Sequence, residues 1–87
     1  MWTVYILQSQ INNSYYIGCT SNLTRRIQEH NSGHTTYTKN LKPFTIVFSQ
    51  EYSSLKTARK VETWLKSLHS KNIIEQIIID GEIHKKF

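Results

Sequence analysis

The chain has 87 residues, 38% of them hydrophobic and 20% charged. That is the usage of one ordinary globular domain, which excludes a second domain, a disordered chain and a low-complexity chain. Eleven lysines and arginines against six carboxylates give a net charge of +5, the footprint of a domain that meets nucleic acid or another anionic partner.

Residues 2–7 form a continuous apolar run with β-branched and aromatic members, which predicts a strand covered on both faces. The run has no basic leader or small-residue cleavage site, and it is far too short to span a bilayer. The expectation is therefore a first strand and not a signal. Asn12-Asn13-Ser14 is a turn signal, and Tyr15 to Cys19 follows as a second strand. The short loop between them predicts an antiparallel hairpin. Gly18 marks a close backbone approach or a bulge. Cys19 is the one cysteine, so there is no internal disulfide, and no CxxC or CxxH spacing exists for zinc. A fold without staples suits a reducing cytoplasm.

Thr20, Ser21 and Asn22 are all good N-caps for a first helix. Leu23 and Ile27 would face its core, and Asn31-Ser32-Gly33 would end it. Residues 34–42 read as a polar, basic loop, and Pro43 opens a third strand over 44–48. Ser53 or Ser54 caps a second helix, whose stripe is Ala58, Val61, Leu65 and Leu68. A third helix is predicted from Asn72, with Glu75 three residues on as a capping-box-like pair. Ile73, Ile74, Ile77 and Ile78 would give its core face, although Ile77-Ile78-Ile79 also reads as a short strand. Asp80-Gly81 closes it. The expected architecture is α+β: one domain over 1–80, with a small three-stranded antiparallel sheet flanked by helices in the order β-β-α-β-α-α. Residues 81–87 form a tail.

Four groups of residues could carry chemistry. Tyr5, Tyr15 and Tyr16 fall in adjacent strands, where tyrosine commonly serves packing with a satisfied hydroxyl. Arg25-Arg26 precede His30, and Arg26 and His30 share a helix face offset from Leu23 and Ile27. Such a pair is a clamp for a phosphate oxygen or simply a solvated face. Glu62 borders the buried stripe of the second helix. It either pairs with Lys66 four residues on or ligates Mg²⁺, an ion that takes one or two carboxylates and keeps several waters. Tyr37, Lys39 and Lys42 in the basic loop suit a strand of nucleic acid, or make an ordinary solvent loop.

Together the spacings resemble a known constellation. Tyr5 is followed by ten residues and then Tyr16-Ile17-Gly18, and Arg26 sits eight after that glycine. Asn22-Leu23, Arg26, His30-Asn31, Gly33, Tyr37-Thr38 and Pro43 come in order, and Ala58, Glu62 and Lys66 then fall four apart. This resembles the GIY-YIG nuclease superfamily, in particular its small stand-alone bacterial members, over about residues 2–78. The first triplet departs from the pattern, because in Thr3-Val4-Tyr5 only the tyrosine matches.

The resemblance implies metal-dependent hydrolysis of a nucleic-acid phosphodiester. Glu62 would hold a single Mg²⁺, with Mn²⁺ as a substitute. Arg26 would bind the phosphate oxygens as charge builds. Tyr5 or Tyr16 would be or orient the base, with Arg26 and the metal lowering its pKa. His30 would hydrogen-bond the phosphate or the attacking water, and Gly18 would let the backbone come close. Arg25, Tyr37, Lys39, Lys42 and Lys66 would hold the substrate. The resulting expectation is a cytoplasmic, monomeric DNA endonuclease with no membrane partner, selective for structure or single strands and not for sequence. Two alternatives stay open: a nucleic-acid-binding module without turnover, and an interaction domain whose basic surface meets an acidic protein partner.

Overall fold

The apolar run at the start of the chain becomes the central strand of the sheet. A computed structural model describes residues 1–33 and 40–87. In it β1 (Trp2–Ser9) has β2 (Tyr15–Thr20) on one side and β3 (Phe44–Tyr52) on the other, both antiparallel. Val4, Tyr5, Ile6 and Leu7 are all buried, because β1 has a partner on each edge and side chains packed on each face. With α1 (Leu23–Asn31), α2 (Leu55–Ser67) and α3 (Lys71–Asp80), the order is β-β-α-β-α-α, as expected for this α+β chain.

The two faces of the sheet hold different cores. Val4 and Ile6 pack with Phe48, Ala58, Val61 and Leu65, and with Ile74 and Ile77 of α3. Tyr5 and Leu7 point the other way, toward Phe44, and Leu23 and Ile27 of α1 lie against them. Burying one large aliphatic side chain is worth about 1.5–3 kcal/mol. The first face has nine buried residues and the second three, so the first carries most of the hydrophobic stabilisation.

β3 serves both faces. The sequence predicts a strand over 44–48, but pairing continues to Tyr52, because β1 offers partners as far back as Trp2. Phe44 and Phe48 are four apart, and a regular strand would put them on one side. The register instead steps from Ile6↔Phe48 to Leu7↔Ile46, passing over Val47. This bulge sends Phe44 to the α1 face and Phe48 to the α2 face.

The hairpin and helix ends are fixed by short polar side chains. Asn13 takes a left-handed conformation (φ 61°) in the β1–β2 turn, which asparagine tolerates. The buried Ser9 Oγ accepts from the N–H groups of Ile11 and Asn12 at 3.1 and 3.4 Å and donates to the Leu41 carbonyl at 2.6 Å. One hydroxyl thus ties the hairpin to the approach of β3. Asn22 caps α1, accepting from Arg25 N, and Ser54 caps α2, accepting from Thr57 N. Gly33 follows the α1 C-cap at φ 81°.

α3 begins earlier than the sequence indicates. Its cap is Ser70, which accepts from the Ile73 N–H at 3.3 Å. Asn72 and Glu75 lie inside the helix and do not form a capping box. The Ile77–Ile79 segment is helical and not a strand, with Ile77 buried and Ile79 exposed. Beyond Gly81 the chain has no regular structure, yet it is anchored. The Gln50 side chain accepts from Ile83 N at 2.8 Å and donates to Ile83 O at 3.1 Å. Ile83 is buried in the α2-side core, and the Phe87 ring meets Trp64 edge-on at 5.5 Å. Among the described residues no helix is long and apolar enough to cross a membrane.

Candidate active site

Tyr5 stands opposite Gly18 across the β1–β2 pair. A Cβ on Gly18 would collide with the Tyr5 hydroxyl and ring, so the phenol lies over the edge strand in space that only glycine leaves open. The requirement is steric and concerns the neighbour's side chain. It is the close approach that the sequence expects at this position.

The Tyr5 hydroxyl accepts a hydrogen bond from Arg26 Nε at 3.4 Å. Tyr5 is only 1% exposed, and burial pushes its phenol above the ordinary 10. The Arg26 bond and charge pull the other way, while Tyr16 and Glu62 push up. Arg26 thus pulls the phenol down, and burial outweighs it. The same hydrogen bond is the main influence holding Arg26 charged, with the Tyr16 phenol adding to it and burial opposing. Arg26 also meets Glu29 one turn on, at 3.6 Å.

His30 is fully buried. Its ring lies 4.7 Å from Tyr16, 5.9 Å from Phe44 and 6.4 Å from Tyr5 between centroids. The sequence puts it on a face offset from the apolar side of α1. In fact it faces inward with that side, because Tyr16 and Phe44 extend the apolar wall. Burial, and then the Arg26 charge, lower its pKa below 6.5, with Glu29 opposing, so the imidazole is neutral at pH 7. Asn31, next in the helix, is bonded to β3: Phe44 N donates to its Oδ1 at 2.6 Å, and its Nδ2 donates to Phe44 O at 3.3 Å. This two-pronged bond sets the end of α1 and with it His30. The signal in the sequence was an asparagine just ahead of the helix-ending Ser-Gly.

Glu62 approaches from α2, on the opposite face. Its partner Lys66 lines a cleft with Tyr15 and Tyr16, which places the pair beside the β2 edge, and the Glu62 charge bears on Tyr5 and on Cys19 of β2. Its Oε2 is 2.8 Å from Lys66 Nζ, with the two side chains 22% and 56% exposed. The plainer of the two expectations for Glu62, a pair with Lys66, is therefore present. Burial first and Glu62 second push the Cys19 thiol up, against Arg59, which disfavours the thiolate.

Arg25 is exposed beside Arg26 and lines a cleft of about 280 Å³ with Trp2, Thr20 and Asn22. Lys42 is exposed just before β3. Tyr37 and Lys39 lie outside the described residues. The structure thus joins Tyr5, Tyr16, Gly18, Arg26 and His30 on the α1 side of the sheet. Glu62 and Lys66 are at the same edge from the α2 side. Three residues near this edge are not marked by any pattern in the sequence: Arg59, whose charge acts on Cys19, and His69 and Lys71, which flank the α2–α3 turn.

Among the described residues no three His, Cys, Asp or Glu side chains converge on one point. A cage for a transition metal is thus not formed. One carboxylate at an edge fits a hard cation that keeps waters and takes its remaining oxygens from a substrate phosphate.

The departure at Thr3-Val4 is accommodated in the sheet and core. Val4 is core on the α2 face, and Thr3 pairs in the sheet with Thr20 and Glu51.

Comparison with known proteins agrees with this geometry. The family model described as the GIY-YIG catalytic domain matches residues 1–75. A UPF0213 protein of Listeria welshimeri is 38% identical over 69 residues, covering 78% of this chain and 76% of that one. A UPF0213 protein of Staphylococcus haemolyticus is 33% identical over 75 residues, covering 85% and 90%. The solution NMR structure of a UPF0213 protein from Bacillus halodurans is 34% identical, with a TM-score of 0.59, covering 93% of this chain and 87% of that one. The chain belongs to the GIY-YIG family, and its fold is a catalytic domain of nuclease type.

Proposed function

We propose that this protein is a Mg²⁺-dependent endonuclease that hydrolyses DNA phosphodiesters, selecting structure or single strands over sequence. The observation that supports it most is the meeting of two tyrosines and an arginine over Gly18, with one carboxylate at the same edge. Hydrolysis adds water across one P–O bond. The chain must take a proton from that water and offset the charge that grows on the phosphate oxygens.

Arg26 is the group for the phosphate. Its guanidinium is part-exposed, permanently charged and aimed by the Tyr5 hydroxyl. Tyr16 is the group for the proton. It is half-buried and so reaches solvent, whereas Tyr5 is enclosed and its phenol pushed up. Tyr5 then orients Arg26, and the enclosed His30 positions Tyr16 through their ring contact without touching phosphate. Glu62 would hold the metal ion, displacing Lys66 from its carboxylate. When bound, the ion supplies positive charge to the scissile phosphate and the leaving oxygen.

The test is incubation with single-stranded, duplex and branched DNA, with and without Mg²⁺. Cleavage is expected only with the metal. Arg26→Ala and Glu62→Ala are each expected to lower it at least about 100-fold. Glu62→Ala should leave α2 intact, since alanine favours helix. Undiminished cleavage in either variant overturns the role assigned to that residue.

A further inference from the structure

A cleft of about 670 Å³ lies between β2 and the α2–α3 junction. Tyr15, Tyr16, Lys66, His69 and Lys71 line it, over an apolar floor that includes Ile74. Its chemistry is one-sided: no carboxylate lines it. Glu62 is engaged with Lys66. Glu75 reaches the Tyr15 phenol through its charge, second to burial, without lining the cleft.

Two of the lining residues also belong to the active site. Tyr16 packs on His30, and Lys66 holds Glu62. The cleft therefore runs directly out of the site. At its far end Lys71 Nζ sits 5.9 Å from the centre of the Tyr15 ring, so a cation and an aromatic face are presented together. His69, one residue past the α2 C-cap, has φ 47°. That left-handed position is normally filled by glycine. A histidine is kept there, with its side chain on the cleft.

We infer that this cleft is a subsite for the single strand flanking the scissile phosphate, in which Lys66, His69 and Lys71 meet backbone phosphates and a base stacks against Tyr15. The inference rests on the nuclease reading for the identity of the polyanion. Cations beside an accessible aromatic face are what sequence-tolerant binding of a single strand requires, and Tyr15 is part-exposed. The cleft has the volume of a small-molecule pocket, enough for one strand and too small for a duplex.

The test is binding without turnover. Fluorescence anisotropy of a labelled oligothymidylate of about 12 nucleotides is measured in EDTA at low salt, using the full chain. Lys71→Gln and Tyr15→Leu are each expected to weaken binding at least about fivefold. Lys71→Gln should also lower the salt slope by about 0.7. His69→Gly is expected to weaken binding while raising the melting temperature, since glycine takes φ > 0 without the steric cost a Cβ imposes. This variant separates a lost contact from a damaged fold. A matching duplex should compete at least about tenfold more weakly. Unchanged affinity in Lys71→Gln and His69→Gly overturns the inference, as does preferential binding of a polyglutamate peptide. The two readings fail separately. Weakened binding in a protein that cleaves no DNA keeps the subsite and removes the nuclease. Cleavage with unaltered binding in the variants does the reverse.

Discussion

The two faces of the sheet are built to different ends. On the α2–α3 side the buried groups are aliphatic, apart from Phe48. On the α1 side Leu7 is joined by aromatic and polar groups: Tyr5, Phe44 and His30, with Tyr16 at the rim. Aliphatic packing tolerates exchange when volume is kept. A cluster of phenols, an imidazole and a guanidinium does not, because each group fixes the charge state and direction of the next. Stability and chemistry are thus divided between the faces of one sheet, and β1 supplies the buried residues of both.

This division can be broken from either side. The largest expected effect is Leu65→Ala on the α2 face, costing about 2–5 kcal/mol and lowering the melting temperature by roughly 10 °C or more. Cleavage per folded molecule at low temperature should survive. Gly18→Ala does the opposite. The new methyl displaces an enclosed Tyr5, at about 1–3 kcal/mol of stability, and should lower activity about 100-fold. Loss of activity in Leu65→Ala and not in Gly18→Ala would reverse the assignment of the faces. Asn31→Ala removes both bonds to the Phe44 backbone and should cost about 1–2 kcal/mol. Activity should fall with it, because the end of α1 carries His30.

The buried imidazole predicts a pH dependence. Its folded pKa is below the 6.5 of free histidine, so the unfolded chain binds the proton more readily. His30's contribution is full above about pH 6.5 and is lost as pH falls through that value toward the folded pKa. Thermal melts from about pH 7.5 down to 5 should decline, and His30→Phe should flatten that decline. The smallest effect is Lys66→Ala. Its bond to Glu62 is an exposed i,i+4 pair, worth about 0.3–0.5 kcal/mol. Urea denaturation should barely register its loss.

What could be read from the residues depends on how local the cause is. The continuous run Val4 to Leu7 announces a strand covered on both faces, and the Ala58–Val61–Leu65 stripe announces α2, because period alone carries both. Gly18, Arg26 and Glu62 stand out through spacing, and the fold brings all three to one edge. Distant causes were not legible. Ser70 and Asn72 are both competent caps, and only the packing of α3 chooses between them. Ile83 is one isoleucine in a polar stretch, and its burial follows from the Gln50 side chain far back in the chain. The enclosure of His30 depends on Phe44, which reaches it from the third strand. The raised phenol of Tyr5 likewise needs the whole wall around it.

The bulge at Val47 makes β3 a strand of mixed parity. Phe44 and Ile46 before it face with Ser9 and Leu7, whereas Phe48 and Gln50 after it face with Ile6 and Val4. Deleting Val47 would leave Phe44 and Phe48 three apart, and regular alternation sends such a pair to opposite faces, so this shortening should keep both rings in place. The damaging change is to close the bulge at full strand length. Either Phe44 would then be turned away from His30, or Phe48 would be withdrawn from Ile6 and α2. For this strand, the extra residue and the bulge that absorbs it are tolerated only together.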